Sequence, residues 1–296
     1  MKRILIARSA GFCFGVKRAI SIANETARSE GTPGGALPIH SLGPLIHNPQ
    51  AVRDLEEKGV HVVESAEQVS CGKVIVRSHG ITRAEETTLR EKEVQIIDAT
   101  CPFVRKAREH ASRLSREGYA VIVVGDENHP EVKSIVSHIE PGVPILTSLE
   151  EIRNSRGGIR KAGIVAQTTQ SFDHLLEFIA CALRKFPEVR VFNTICNATI
   201  LRQKESSAVA GRVERMIVLG GYNSANTRRL YEICREINPH TIHIETAAEL
   251  DPATLRSVDR VGVTAGASTP SWIIDGLVET IRNAWAGEPL EVAYFK

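Results

Sequence analysis

Short runs of aliphatic and β-branched residues alternate along this chain with longer stretches whose apolar residues recur at helical spacing. The runs fall at residues 4–7, 74–77, 94–98, 120–124, 163–166, 189–192, 216–219, 242–244 and 261–264. Strand-sized runs separated by helix-sized ones predict an α/β fold with mostly parallel sheets. Ligands of such sheets gather beyond the carboxyl ends of the strands. The unusual polar residues fall there: Ser78-His79-Gly80, Asn128-His129-Pro130-Glu131, Gln167-Thr168-Thr169, Asn223-Ser224-Ala225-Asn226 and Thr264 through Ser268. A glycine-rich stretch at 31–35 reads as a turn or loop rather than a phosphate cradle, because no helical run follows it directly.

Three cysteines punctuate this pattern. Cys13, Cys101 and Cys196 lie 88 residues apart (13 to 101) and 95 apart (101 to 196), each interval the length of a small domain. Each stands just ahead of a helix-like run with basic residues: Lys17-Arg18, Arg105-Lys106 and Arg202. The spacing predicts three similar α/β units, 1–100, 101–195 and 196–285, with 286–296 as a C-terminal tail. The repeat extends downstream, because the residue 28 positions after Cys101 is His129 and the one 28 after Cys196 is Ser224, both just past a strand-like run. In the first third the match is looser, with His40 and His47 in that role. A thiol at a helix N-terminus feels the positive end of the helix dipole and is favoured as thiolate, the metal-binding form.

Composition narrows the classes. With 42% hydrophobic and 24% charged residues the chain is an ordinary globular protein, and a formal net charge of +2 without a long basic block gives no footprint for nucleic acid. The apolar runs are strand-sized, so no membrane span is expected. Arg8 interrupts the apolar start, no signal peptide is read, and the expected location is cytoplasmic. Six cysteines in a chain of this size without an export signal are expected as thiols rather than disulfides. Cys71, Cys181 and Cys234 sit at a strand entrance or in helix-like contexts and read as structural. His110, His138 and His174, in polar helical contexts, read as solvated.

Three thiolates from three units can hold an iron–sulfur cluster or a zinc ion. A [4Fe–4S] cluster on three cysteines keeps one iron without a protein ligand; zinc needs a fourth ligand, for which His129 is the candidate. The absence of Cys-x-x-Cys spacing leaves both open. Histidines and small hydroxyl or amide side chains at strand ends suit an anionic substrate. A Ser or Asn after a strand is on its own usually a helix cap, whereas His47, His79 and His129 each adjoin Gly, Pro or Asn at a strand or turn end and are harder to dismiss. Glu131, two residues past His129, presents a carboxyl to the same site or simply complements a helix dipole.

The segments Gly11 through Ile20, His47-Asn48, Ser78-His79-Gly80, Asp98 through Pro102, His129 through Val132, Gln167-Thr168-Thr169, Ile195 through Thr199, Asn223 through Asn226 and Val261 through Ser268, taken in order, resemble the 4-hydroxy-3-methylbut-2-enyl diphosphate reductase family from about residue 4 to residue 285. The resemblance implies a trefoil of three α/β units around a central [4Fe–4S] cluster. The cluster, one per chain, would be held by Cys13, Cys101 and Cys196, with one iron not ligated by protein. His47, His79, Ser224, Asn226 and Ser268 match positions that bind the substrate diphosphate. Glu131, Thr168 and His129 match those around its hydroxymethyl end, with Glu131 as the proton source, relayed by Thr168. The implied reaction is a two-electron reductive dehydroxylation to isopentenyl and dimethylallyl diphosphate, the last step of the non-mevalonate isoprenoid pathway. Reduced ferredoxin or flavodoxin would deliver the electrons to a monomer or weak dimer. Ala225 stands where many relatives carry a second serine, which removes one diphosphate hydrogen bond worth about 1 kcal/mol.

Overall fold

The run Ala120-Val-Ile-Val-Val124 is buried at every position, as a strand covered on both faces of a parallel sheet must be. The computed structural model describes residues 1–29, 37–155 and 157–295. The glycine-rich stretch at 31–35 lies outside them. The chain opens with β1 (Lys2–Ile6) and α1 (Phe14–Ser29), then runs through β2 (Ile39–Leu42), α2 (Pro49–Glu57), β3 (Val60–Val63), β4 (Gly72–Val76), α3 (Arg83–Arg90) and β5 (Val94–Asp98). Its middle third holds α4 (Pro102–Arg116), β6 (Ala120–Val124), α5 (Pro130–Ser137), β7 (Ile145–Leu146), α6 (Leu149–Asn154), β8 (Lys161–Ala166), α7 (Phe172–Lys185) and β9 (Glu188–Val191). The last third holds α8 (Asn197–Ala210), β10 (Arg215–Leu219), α9 (Ala225–Ile237), β11 (Thr241–Ile244), β12 (Arg260–Ala265), α10 (Ser271–Ala284) and β13 (Leu290–Tyr294).

These strands form three sheets, and every pairing is parallel. Two have the orders β3-β2-β4-β5 and β7-β6-β8-β9; the third is β11-β10-β12-β1-β13. The three share one plan. Numbered within its own stretch of chain, each sheet runs second, first, third, and then a fourth strand. In the third sheet that fourth place is taken by β1, from the other end of the chain. Cys13, Cys101 and Cys196 therefore each follow the fourth strand of a sheet and precede a helix: β1 and α1, β5 and α4, β9 and α8.

By its contacts the chain divides into two units. One comprises residues 1–16, 47–51 and 197–296; the other 17–46 and 52–196. The first is built on the sheet containing β1, where Ile4, Ile6, Ile217, Leu219, Val261 and Val263 pack against Leu277, Ile281 and Trp285 of the C-terminal helix region. Burying one such aliphatic side chain stabilises the fold by roughly 1.5–3 kcal/mol. The second unit holds the other two sheets, with cores around Val74, Val76 and Leu89, and around Ile122, Ile164, Leu175 and Phe178.

Four strands escape the hydrophobic pattern. β2 and β3 carry His40 and His61, β7 has two residues, and β13 lies in the segment 286–296 expected as a tail, pairing with β1 from Lys2↔Leu290 to Ile6↔Tyr294. Two histidines also depart from the solvated positions expected for them. His110 is partly buried and stacks on Phe192 with ring centroids 4.1 Å apart. His138 sits with Nδ1 2.8 Å from the Ser134 carbonyl, and burial is the main cause that lowers its pKa. No described helix is long and apolar enough to cross a membrane.

Candidate active site

The three repeated cysteines form no disulfide among the described residues, and each is partly buried and immediately before the first residue of a helix. Each is also fixed by its own backbone. The N–H of Cys13 donates to the Ala267 carbonyl at 3.1 Å, that of Cys101 to Ser78 at 3.0 Å, and that of Cys196 to Thr168 at 3.0 Å. All three acceptors lie just beyond the third strand of a sheet, β12, β4 or β8. The acceptor either is, or directly precedes, a residue expected at the substrate: Ser268, His79 and Thr168. One hydrogen bond thus couples each thiol-bearing residue to a candidate contact residue.

Thr168 does more than anchor Cys196. Its N–H donates to Glu131 Oε1 at 2.6 Å and its hydroxyl lies 3.0 Å from Oε2, so one residue ties the carboxyl to the cysteine loop. Glu131 is 1% exposed although it is the second residue of α5. Its carboxyl oxygens are held by Thr168, and capping its own helix is left to another residue. That task falls to His129, which caps α5 by accepting the Glu131 N–H on Nδ1 at 3.1 Å. Burial pushes the Glu131 carboxyl up to about 7, against the opposing pull of the two Thr168 hydrogen bonds. An acid of that strength is about half protonated at neutral pH.

His79 joins this group, its ring meeting that of His129 edge-on with centroids 5.3 Å apart. Gly80 permits the approach. Its φ is +76°, and a Cβ there would lie 2.9 Å from Ser134 Oγ on α5, whose hydroxyl donates to the Ile81 carbonyl at 2.8 Å. A side chain at 80 would push the His79 loop off α5.

In the other unit the structure gathers His47, Ser224, Asn226 and Ser268. The Ser268 hydroxyl donates to the His47 carbonyl at 3.0 Å, and the same carbonyl lies 2.7 Å from where a Cβ of Gly221 would be, so the loops after β10 and β12 both close on residue 47. Ser224 caps α9, accepting the Thr227 N–H at 3.4 Å. Asn226, in the first turn of α9, is 4% exposed, and among the described residues neither its Oδ1 nor its Nδ2 has a hydrogen-bond partner. Leaving a buried amide unsatisfied costs about 1–3 kcal/mol. A helix N-terminus with an uncommitted amide suits an oxyanion.

Two residues beyond those expected belong to these loops. Gln167 accepts the Asp126 N–H on Oε1 at 3.1 Å, while its Nε2 is buried without a partner among the described residues. Thr227, next to Asn226, has its Oγ1 in the same state. Their only sequence signal is position, in a strand-end loop and in the helical turn after it.

The chain matches the family model described as LytB protein over residues 4–282. A protein of Geobacter metallireducens named 4-hydroxy-3-methylbut-2-enyl diphosphate reductase is 52% identical over 280 residues, which cover 95% of this chain and 97% of the relative. A protein of Geobacter sulfurreducens with the same name is 52% identical over the same shares. A solved structure of (E)-4-hydroxy-3-methyl-but-2-enyl diphosphate reductase, described as the terminal enzyme of the non-mevalonate pathway, is 45% identical and superposes with a TM-score of 0.71, covering 96% of this chain and 100% of its own. That of the Plasmodium falciparum E-1-hydroxy-2-methyl-but-2-enyl-4-diphosphate reductase is 26% identical with a TM-score of 0.90, covering 99% of this chain and 92% of its own.

Proposed function

The chain belongs to the LytB family, and we propose on that premise that it reduces 4-hydroxy-3-methylbut-2-enyl diphosphate to isopentenyl and dimethylallyl diphosphate, consuming two electrons and two protons and releasing water. The observation that carries the reading is Thr168, which holds a buried acid of raised pKa with its N–H and hydroxyl and a cysteine N–H with its carbonyl.

The donor set fits an iron–sulfur cluster. Cys71 is exposed, Cys181 lies on α7 beside the core, and Cys234 is buried with its thiol pushed up to about 12, the wrong protonation state for a ligand. That leaves Cys13, Cys101 and Cys196, one short of the four cysteines of a fully ligated cluster. A [4Fe–4S] cluster on these three, one iron lacking a protein ligand, would supply the two electrons and a Lewis acid.

The remaining work belongs to the chain. His47, His79, Ser224, Asn226 and Ser268 bind the diphosphate, the unsatisfied Asn226 amide giving and accepting hydrogen bonds at the start of α9. Glu131 supplies a proton for the departing hydroxyl. With the proton on Oε2, the 3.0 Å contact makes Thr168 Oγ1 the acceptor, and the threonine's own hydrogen turns toward the substrate. His129 fixes the backbone of this relay through the helix cap. Ferredoxin or flavodoxin is the proposed electron donor, and a cytoplasmic monomer or weak dimer the proposed state.

The test is anaerobic isolation with iron and sulfide quantification, followed by turnover of 4-hydroxy-3-methylbut-2-enyl diphosphate with a chemical reductant. About four irons per chain and both five-carbon products support the reading; zinc, or no metal after anaerobic reconstitution, overturns it.

A further inference from the structure

The N-terminal part of helix α8 turns polar residues inward. Ile200 and Leu201 are 38% and 51% exposed, while Thr199, Arg202 and Ser206 are buried. Arg202, 3% exposed, spends its guanidinium on the loop that leads into Cys13: Nε donates to the Ser9 carbonyl at 2.9 Å and Nη2 to the Gly11 carbonyl at 2.7 Å. Glu205, one turn on, takes the complementary groups, accepting the Ser9 N–H at 2.8 Å and the Ser9 hydroxyl at 2.6 Å. Gly11 itself has φ +93°, and a Cβ there would lie 3.3 Å from the Thr269 carbonyl. The two charged side chains therefore grip the backbone on both sides of Ala10, just ahead of the cysteine.

The other cysteine loops are held in the same sense but less firmly. α1, the helix after Cys13, sends Arg18 to the carbonyls of Thr100 and Asp98 ahead of Cys101, at 3.3 and 3.4 Å and with more solvent exposure. α4, the helix after Cys101, offers His110 to Phe192 ahead of Cys196, a ring stack without hydrogen bonds. In each case the helix that follows one cysteine holds the loop ahead of another. Among the described residues the Cys13 loop receives a buried cation and an anion together. Charge-assisted hydrogen bonds of this length are about twice as strong as neutral ones.

We propose that Arg202 is a positioning residue for Cys13: with Glu205 it fixes the Ser9–Gly11 backbone and so presents the Cys13 thiol in one place. The proposal rests on the reading of Cys13 as a cluster ligand. It acts through the loop, not through contact with substrate.

The test measures the loop directly. In the full-length, reduced, cluster-free chain, the alkylation rate of each cysteine by iodoacetamide is followed by peptide mass spectrometry for the wild type, Arg202→Lys, Arg202→Met and Glu205→Gln. The expected result is a rise of about tenfold at Cys13 in Arg202→Met, about threefold in Glu205→Gln, an intermediate rise in Arg202→Lys, and less than about twofold change at Cys101. No selective change at Cys13, or an equal rise at all three cysteines, overturns the clamp. Ser9→Ala, which removes one contact of Glu205, carries the same test if Arg202→Met yields no folded chain, with a smaller selective rise expected and its absence fatal. Reconstitution with iron and sulfide then separates the two ideas. A wild type that takes up no cluster sinks the ligand assignment, whereas the thiol rates decide the clamp by themselves.

Discussion

The Glu131 pocket and the Asn226 corner are both buried and polar, and they are finished differently. Glu131 has its two oxygens engaged by Thr168, and the energetic strain lies in its charge, which burial disfavours. Asn226 carries no charge, and among the described residues its side chain has no hydrogen-bond partner. A group whose geometry is completed by protein is prepared to change its protonation; a group left incomplete is prepared to receive something. The two corners therefore divide the work of the proposed reaction, proton supply in one and substrate holding in the other.

The contrast is sharpest under mutation. Glu131→Gln keeps the shape and both Thr168 contacts but has no proton to give, so turnover should fall at least about 100-fold with iron content and KM little changed. Near-normal turnover would remove Glu131 from the chemistry. Asn226→Ala should do the opposite, raising KM about 30-fold for the loss of two hydrogen bonds to a charged ligand, while the melting temperature of the unliganded chain holds or rises. A drop in melting temperature would mean that the amide is already satisfied.

pH distinguishes the corners next. The folded Glu131 value, about 7, lies above its ordinary 4.5, so the folded chain keeps this proton where the unfolded chain has released it. Its contribution to stability is thus full below about 4.5 and is lost as pH rises through about 7. Denaturation midpoints should fall over that interval in the wild type and lose this slope in Glu131→Gln. The protonated fraction also falls about tenfold between pH 6 and pH 8, and kcat should follow it. Thr168→Val removes a hydrogen bond that favours the ionised form, so it should move that limb to higher pH. The smallest effect is expected for Ser268→Ala, a KM rise of about fivefold through the loss of its hydroxyl to the diphosphate and the loosened His47 carbonyl.

Much of the fold was legible because buried parallel strands are unbroken aliphatic runs, as in 120–124 and 216–219. The strands that were missed are those in which histidines or brevity blur the run, β2, β3 and β7, and β13, whose partner is the first strand of the chain. No local pattern reports a pairing between opposite ends of a sequence. The cysteines and the polar strand-end loops were legible for the same reason as the strands, since each loop follows an apolar run. What that pattern hides is how the loops are completed. Arg202 looked like one more basic residue on a helix surface, and the first turns of α8 give no apolar stripe to say otherwise, because Thr199, Arg202 and Ser206 are buried there and the apolar Val209 and Ala210 are buried only at its end.

The place of β1 in the sheet has a consequence for how the protein is made. β1 leaves the ribosome long before its partners β12 and β13 are made. Cys101 and Cys196 find their anchoring carbonyls, Ser78 and Thr168, in chain already emerged, but Cys13 must wait for Arg202 and then for Ala267. The first cysteine to be synthesised is the last to be fixed. Anchoring of Cys13 thereby comes later than that of the other two cysteines, because its segment lacks this backbone partner until residue 267 has been made.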